Sequence, residues 1–573
     1  MCGFLFTIGK KEEIKKNSDL FKKSTELLRH RGPDFEKLIT GDNFMQYHAR
    51  LSIVDLSDRA NQPFQSSDKR YSLLYNGEIY NYLSLKNELK NSYNFKTSSD
   101  TEVVLASFIR WGSDCVSHLD GMFSFVIFDH LTNKVFFARD RFGQKPLYYF
   151  INNKKNIFFV SSEIKPLLKL SGSSKFENSE IKQYLISNIY GQNESTFFKS
   201  IKQLKPGSYG TYENGKINTY LYSYNESFEK YDFFKFNKEE LILILKESID
   251  RHLMGDVNVG LAISSGLDSL TLLGLIKKSN KSEKLKKCFS IDFGKKFSEF
   301  EDAKKSVLKL GMKTYKVEYS IDDMVNDFEK LVLSNEAPIG GLMHLGISKV
   351  CKVAKDLKIK VLFNGSGLDE VLLGYESSKI SLKDKKNNIQ KKIRFIDGSE
   401  TNVLNNLNKE IFYNDDNLSN SLILDLLLKS KLPKNLHMLD RASMAHSVEM
   451  RSPFVDNKLS HYCLELSKNN YFNNKLTKLP LRKAISDIYP GFNWNVKKKN
   501  LNTPQNKWML EKKGKEFFGD ILNSKNKFDN ELYIKKNILK SWDMFNKKKL
   551  KNAFPIWQYV NIYFINKLKS KDN

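Results

Sequence analysis

Short apolar runs broken by turn residues fill the first two hundred positions. "YSLLYNGEIYNY", "MFSFVIFD", "KVFFARD", "KPLYYFI" and "NIFFVSSE" are of strand length, apolar or alternating, with turn residues between them. "KKSTELLRH" and "SLKNELKN" read as helices between them. Antiparallel strands with a few flanking helices predict a layered α+β domain over residues 2–205. Residues 206–235 carry "PG" and "NG" turn signals and few long apolar runs, which predicts a connection. From Lys238 the period changes. "KEELILILKESIDRHL" has helical apolar spacing, and "VGLAISSGLDSLTLLGLIKKS" reads as a buried strand, a polar turn and a helix. "LKKCFSIDF" and "IKVLFNGSG" are further strands with helices between them. This alternation predicts a parallel sheet with its ligand at the carboxyl ends of the strands. Positions after about 385 predict mainly helix, within a second domain spanning 236–573. The chain has no internal repeat.

Composition narrows the class. With 573 residues, 40% of them hydrophobic and 13% aromatic, two to four domains with large cores are expected. No apolar run is long enough to span a bilayer, and "MCGFLFTIGKKEEIKK" turns charged too early for a signal peptide, so a cytoplasmic protein is expected. Five dispersed cysteines, none in a C-x-x-C pair, argue against a disulfide framework or a zinc site. The 93 Lys and Arg against 66 Asp and Glu leave a net charge of +27. The lysines are spread along the chain among many asparagines, which reads as compositional bias; no zinc-finger, RNP or KH signature accompanies them. The densest cluster, "MFNKKKLKN", reads as a solvated face, with polyanion contact as the alternative. Nucleic acid is therefore not an expected partner.

Three stretches carry candidate chemistry. In "MCGF", removal of Met1 would leave Cys2 with a thiol and a free α-amine on one residue, a nucleophile beside its own base. The bland alternative is that small residues often follow an initiator methionine. In "AISSGLDSL", Ser264, Ser265, Gly266, Leu267, Asp268 and Ser269 lie between a strand and a helix. Backbone N–H groups there, with serine hydroxyls, suit a pyrophosphate, and Asp268 fits beside phosphate as a Mg²⁺ ligand. An ordinary turn with helix caps competes evenly. "VLFNGSGLDEVLLGY" supplies Asn364, Gly365, Ser366 and Asp369 after another strand, and Asp369 could complete a metal site with Asp268.

Across nearly its full length the chain resembles the glutamine-hydrolysing asparagine synthetase family. In the N-terminal half the resemblance rests on "MCG", "RHRGPD", "ARLSIVDLS", "NQPF", "YNGEIYN", "SSDTEVVL", "LDGMFSFVIFD", "ARDRFGQKPLYY" and "SSEIKPLL". It implies a class II glutamine amidotransferase domain with the αββα layers of the N-terminal nucleophile type. By similarity Cys2 attacks the glutamine amide with its α-amine as base, and Asn76 and Gly77 form the oxyanion hole. Arg50 with Leu51, Ser52, Ile53 and Val54 borders the glutamine, Arg50 taking the α-carboxylate, while Glu78 and Asp100 take the α-ammonium. The second half resembles the family's ATP-pyrophosphatase domain: "SSGLDS" its pyrophosphate loop, "CFSIDF" its adenine strand with Ile291 and Ala262 as contacts, and "TKLPLRKA" the segment that places Lys478 by the phosphates. "MLDRASMAHSVEMRSPFVDNKL" is expected to line the acceptor side, with Arg451, and the domain contact; "KKNLNTPQNKW" is a further match. The resemblance implies ATP and Mg²⁺, an acyl-adenylate, ammonia carried through an internal tunnel, small-molecule substrates, and a homodimer as one expected assembly.

The departures fall on the acceptor. Ser265 stands where the family has glycine, which is tolerable if its φ is negative. Ser366 stands where the family has a glutamate beside the acceptor, and "SEFEDA" keeps Glu299 of an acidic segment but loses its aspartate and tyrosine. Aspartate is the expected acceptor. The alternatives are another acid, such as a uronic-acid sugar of a surface polysaccharide, or a synthetase-dead glutamine-binding or scaffolding protein.

Overall fold

The computed structural model describes residues 2–172, 175–223, 236–294, 296–375, 378, 418–467, 470–473, 475–489, 491, 492, 494, 495, 503–524 and 535–568. Two antiparallel sheets face each other in the N-terminal half. The first runs β10 (Lys202–Gln203), β8 (Tyr148–Asn152), β9 (Ile157–Ser161), β1 (Gly3–Ile8), β3 (Phe44–Arg50), β2 (Phe35–Thr40). The second runs β12 (Lys216–Leu221), β11 (Ser208–Glu213), β7 (Lys134–Arg139), β6 (Gly121–Asp129), β5 (Tyr71–Ile79), β4 (Phe64–Gln65). Strand side chains alternate between faces. Phe4, Phe6 and Ile8 of β1 therefore meet Leu74 of β5 and Val126 and Phe128 of β6 in one core between the sheets. Leu5, Met45 and Tyr47 face outward under the helices Lys11–Thr25 and Ile164–Ser171, and Tyr75 and Phe125 under the helix Asp100–Trp111. The result is an αββα stack.

The same alternation places chemistry at one end of the stack. Cys2 continues the inner face of β1, and Asn76 and Glu78 continue the inner face of β5 past Leu74, so the apolar core gives way there to polar side chains.

A third sheet, wholly parallel, runs β15 (Thr314–Glu318), β14 (Leu285–Asp292), β13 (Val259–Ala262), β16 (Val361–Phe363), β17 (Glu449–Arg451). Helices between the strands cover its faces, as parallel sheets require. One expectation is corrected. The stretch 206–235 begins with β11 and β12, which pair with each other and with β7, so its first part is sheet and not connection; residues 224–235 lie outside the described residues. The described residues after 385 are mainly helical, as expected, and also contribute β17 to the parallel sheet. Three buried residues flanked by helices offer no alternation from which to read a strand. Residues 379–417 and 496–502, with part of "KKNLNTPQNKW", lie outside the described residues.

The two halves meet across buried charge. Arg31, fully buried, donates from Nη1 to Glu163 Oε1 (2.9 Å) and to Asp440 Oδ2 (3.0 Å), from Nη2 to Asp440 Oδ1 (3.2 Å), and from Nε to the carbonyl of Cys2 (2.9 Å). Arg441 pairs with Glu163 (2.7 Å) and Glu336 (2.8 Å). Glu336 in turn accepts the N–H groups of Ile164 (2.7 Å) and Lys165 (2.6 Å), so a carboxylate of the second half caps a helix of the first. Removing one partner of such a pair strands the other charge in a dry interior. Asp440→Ala is expected to lower the unfolding free energy by about 3–5 kcal/mol, measured by urea denaturation. A loss no larger than that of an exposed ion pair, about 1 kcal/mol or less, would mean that Arg31 finds compensation elsewhere.

Candidate active sites

The first site is a cavity at the polar end of the αββα stack, lined by Cys2, Arg50, Leu51, Ile53, Val54, Gly77, Glu78 and Asp100 among others. The Cys2 thiol sits above its ordinary pKa because burial disfavours the thiolate, against the pull of the Leu51 backbone and Arg50. The resting group is thus a thiol that needs a base at the moment of attack. Cys2 N–H donates to Asn76 Oδ1 (2.9 Å), which turns the Asn76 amide over the residue. Asn76 Nδ2 is buried without a hydrogen-bond partner among the described residues. A buried N–H left unmade costs about 1–3 kcal/mol, so this donor beside the Cys2 thiol is open to an acceptor on a ligand. Gly77 faces Phe123 of β6, and a Cβ there would lie 2.3 Å from the Met122 carbonyl oxygen, so only glycine lets the two strands close.

The cavity holds carboxyl groups that burial keeps from ionising. Burial and the neighbouring Glu449 push Glu78 well above the usual carboxylate range, while Arg451 pulls it down. Burial raises Asp100 as well, although Tyr75 Oη (2.7 Å) and Ile79 N (3.0 Å) donate to it. Two buried carboxyls that resist ionisation are relieved by a bound cation, and an ammonium meets that need. Arg50 donates to the carbonyls of Ser57 (2.9 Å), Val54 (3.3 Å) and Asp55 and to Asn61 Oδ1 (2.8 Å), so it shapes the loop 51–61 around the cavity. Ser52 lies apart from the lining; its N–H donates to Asp34 (2.7 Å).

The second site lies at the carboxyl edge of the parallel sheet. The loop after β13 leads into the helix Leu267–Lys278, with Gly266 as its N-cap. Ser269 Oγ takes the Ser264 N–H (3.2 Å), and Ser264 Oγ takes the Gly266 N–H (3.2 Å), holding the loop open toward the edge. Ser265 is not among the residues with positive φ, so the serine fits where glycine was expected. Ala262 ends β13, and Ile291 lies near the end of the neighbouring β14; both are half-buried. Asp268 and Asp369 converge on one ammonium: Lys478 Nζ stands 2.6 Å from Asp268 and 2.7 Å from Asp369. Burial works against the charged lysine, but the two carboxylates hold its pKa above the ordinary value. Lys478 reaches them from a left-handed backbone, φ 57°, which costs a side-chain-bearing residue about 1–2 kcal/mol. A Cβ on Gly374 would sit 2.2 Å from both Lys478 Cε and Asp369 Oδ1, so the glycine makes room for the trio. Two carboxylates focused on one cation position, beside a loop suited to phosphate, fit the donor set of a Mg²⁺ shared with a nucleotide. Asn364 and Gly365 follow β16, and Gly365 packs against Asp268.

Arg451 is fully buried in the seam, where it pairs with Glu449 Oε1 (2.5 Å) and Glu78 Oε2 (3.3 Å) and donates to the carbonyls of His252 (2.5 Å) and Met254 (2.7 Å). The strand β17 puts residues 449 and 451 on one face, and that face looks at the first site. Sequence reasoning passed over Gln62, Tyr75, Ser99 and Thr101 as cavity lining. All four stand inside quoted motifs, "NQPF", "YNGEIYN" and "SSDTEVVL", so their signal was present but unassigned. Among the described residues no helix is long and apolar enough to cross a membrane.

Residues 1–224 match the family described as glutamine amidotransferase domain, and residues 240–565 the family described as asparagine synthase. Asparagine synthetase (glutamine-hydrolyzing) 1 of Bacillus subtilis is 27% identical, over 98% of this chain and 97% of its own. Asparagine synthetase B (glutamine-hydrolyzing) of Escherichia coli is 30% identical over 62% of each chain. Amidase chyE of Penicillium rubens is 28% identical over 64% of this chain and 56% of its own.

Cys115, Cys288, Cys351 and Cys463 are buried in apolar cores, whereas Cys2 opens on the cavity. With its pKa raised, the thiolate fraction of Cys2 is small at neutral pH and grows as pH rises. Its carbamidomethylation, followed by peptide mass spectrometry, is expected to be slow at about pH 7 and still accelerating above about pH 9. A plateau below about pH 8 would mean a resting thiolate and a wrong sign for the burial effect.

Proposed function

The chain belongs to the asparagine synthase family, and from that premise we propose that it moves the amide nitrogen of glutamine onto a carboxylate activated by ATP, with aspartate as the acceptor. The observation that carries the reading is the Lys478 ammonium set between Asp268 and Asp369 at the carboxyl edge of the parallel sheet, beside a phosphate-type loop. Cys2, freed of Met1, attacks the glutamine amide. Its own α-amine takes the thiol proton and returns a proton to the departing ammonia. Asn76 Nδ2 and the backbone at Gly77 receive the oxyanion. Glu78 and Asp100 hold the α-ammonium of glutamine, which relieves their buried charge.

In the second half the acceptor carboxylate attacks the α-phosphate of ATP, pyrophosphate leaves, and ammonia displaces AMP from the acyl-adenylate. Asp268 and Asp369 would hold a Mg²⁺, which when bound would supply charge to neutralise the leaving group. Lys478, already between the two carboxylates, supplies a positive charge to the phosphates as pyrophosphate departs. A second reading, the same chemistry on another acid, is favoured by Ser366. Its N–H donates to Asn364 Oδ1 (2.9 Å), and a hydroxyl stands where the family pattern has an acid beside the acceptor.

With glutamine, Mg-ATP and aspartate, the purified chain is expected to release glutamate, AMP and pyrophosphate together. Pyrophosphate release that ignores aspartate would remove aspartate as acceptor and leave the second reading. Cys2→Ala should abolish glutamine-supported turnover but keep turnover supported by ammonium. Lys478→Met should cut pyrophosphate release about 100-fold or more while glutamine hydrolysis persists. Equal loss of both activities in each variant would contradict two separate chemistries.

A further inference from the structure

An anion already lies on the phosphate-type loop. Glu299, which precedes the helix Phe300–Lys309, sets Oε2 3.0 Å from Ser265 Oγ and 3.3 Å from Ser265 N. Both groups donate to it. The neighbouring donors are also committed within the protein: the Ser264 N–H to Ser269 Oγ, the Gly266 N–H to Ser264 Oγ. Ser265 is thus the loop residue whose main-chain and side-chain donors both point to a negatively charged type of group brought from a different element.

Such a group does at rest what a phosphate oxygen does when bound. The two cannot share the Ser265 N–H, and two negative groups at hydrogen-bond distance repel. Two other roles for Glu299 fit less well. As a helix cap it fails, because it makes no side-chain bond to its own helix. As a metal ligand it fits poorly: its Oε2 already accepts from an N–H and an O–H of Ser265. The shorter of its two bonds comes from the Ser265 hydroxyl, at a position where the family pattern has glycine.

We propose that Glu299 is a specificity-determining residue that fills a phosphate subsite of the loop at rest, so that a ligand gains Ser265 only by displacing it. The inference rests on the reading of this loop as the nucleotide site. A polyphosphate that also engages the Asp268–Lys478–Asp369 trio has the interactions to drive Glu299 out; a lone phosphate does not. The return of Glu299 after reaction competes with pyrophosphate for the same donors and favours its release. The latch is local: Glu299 is half-buried and packs no core, so replacing it leaves the fold intact.

The test is titration calorimetry of the full chain with magnesium pyrophosphate and with Mg-ATP. If the latch is closed about nine-tenths of the time, Glu299→Ala tightens pyrophosphate binding about tenfold. Ser265→Gly removes the shorter bond and tightens it less; combined with Glu299→Ala it brings no further gain, since no latch remains to weaken. Unchanged or weaker pyrophosphate binding in Glu299→Ala, with Mg-ATP still bound by the unaltered chain, overturns this inference alone. Failure of the unaltered chain to bind Mg-ATP at all overturns the nucleotide reading of the loop and this inference with it.

Discussion

One guanidinium ties Cys2 to both halves of the molecule. Arg31 is buried with no water to solvate it, so its charge is tolerable only while Glu163 and Asp440 both stand against it. Glu163 belongs to the N-terminal stack and Asp440 to a helix of the second half, so the charge balance of Arg31 is complete only when the halves are docked. The same guanidinium holds the carbonyl of Cys2. The position of the first site's nucleophile is therefore set by an interface, and the two sites have a structural reason to exist on one chain.

Charge is arranged differently at the two sites. The first cavity holds carboxyls in excess of cations, and burial raises their pKa; such a site is incomplete until a positive ligand arrives. The second keeps its own counter-ions. Lys478 stands between Asp268 and Asp369, and Glu299 stands on the donors of Ser265. A cation ligand therefore finds an open demand at one end of the molecule, while a polyanion must replace standing partners at the other.

Strand and helix character was legible in the longer elements, whether covered on both faces like β5 and β6 or buried along one face like the helix Lys238–His252. It failed where an element is short or set among turn residues. β17 is three residues buried on both faces, and β11 and β12 sit among turn signals that outweighed their alternation. Residue types at the sites were legible because the chemistry needs them: a thiol beside an amine, carboxylates at strand ends, a lysine near phosphate. Partners were not. That Arg451 would turn to Glu78, that Gly374 would clear a space for Lys478, or that Glu299 would cross to Ser265 depends on how distant segments pack, and spacing along the chain carries no trace of it.

The backbone and the side chain of Arg451 reach toward different sites. The side chain reaches Glu78, one of the surplus carboxyls of the first cavity. The carbonyl accepts both the backbone N–H (3.0 Å) and the side-chain amide (3.0 Å) of Asn364, and Asn364 Oδ1 accepts the N–H of Ser366. From Glu78 to Ser366 there is thus an unbroken run of ion pair, covalent bond and hydrogen bond between the halves. An ammonium arriving at Glu78 must draw on the carboxylate that Arg451 shares, and Glu449, paired more closely with Arg451, limits how far the arginine can follow. The stretch that ends on β17 thus contributes a bridge by which the loop after β16 is fixed relative to the first cavity. The hydroxyl at Ser366 sits at the end of that bridge, held by its own backbone and not by a charge of its own.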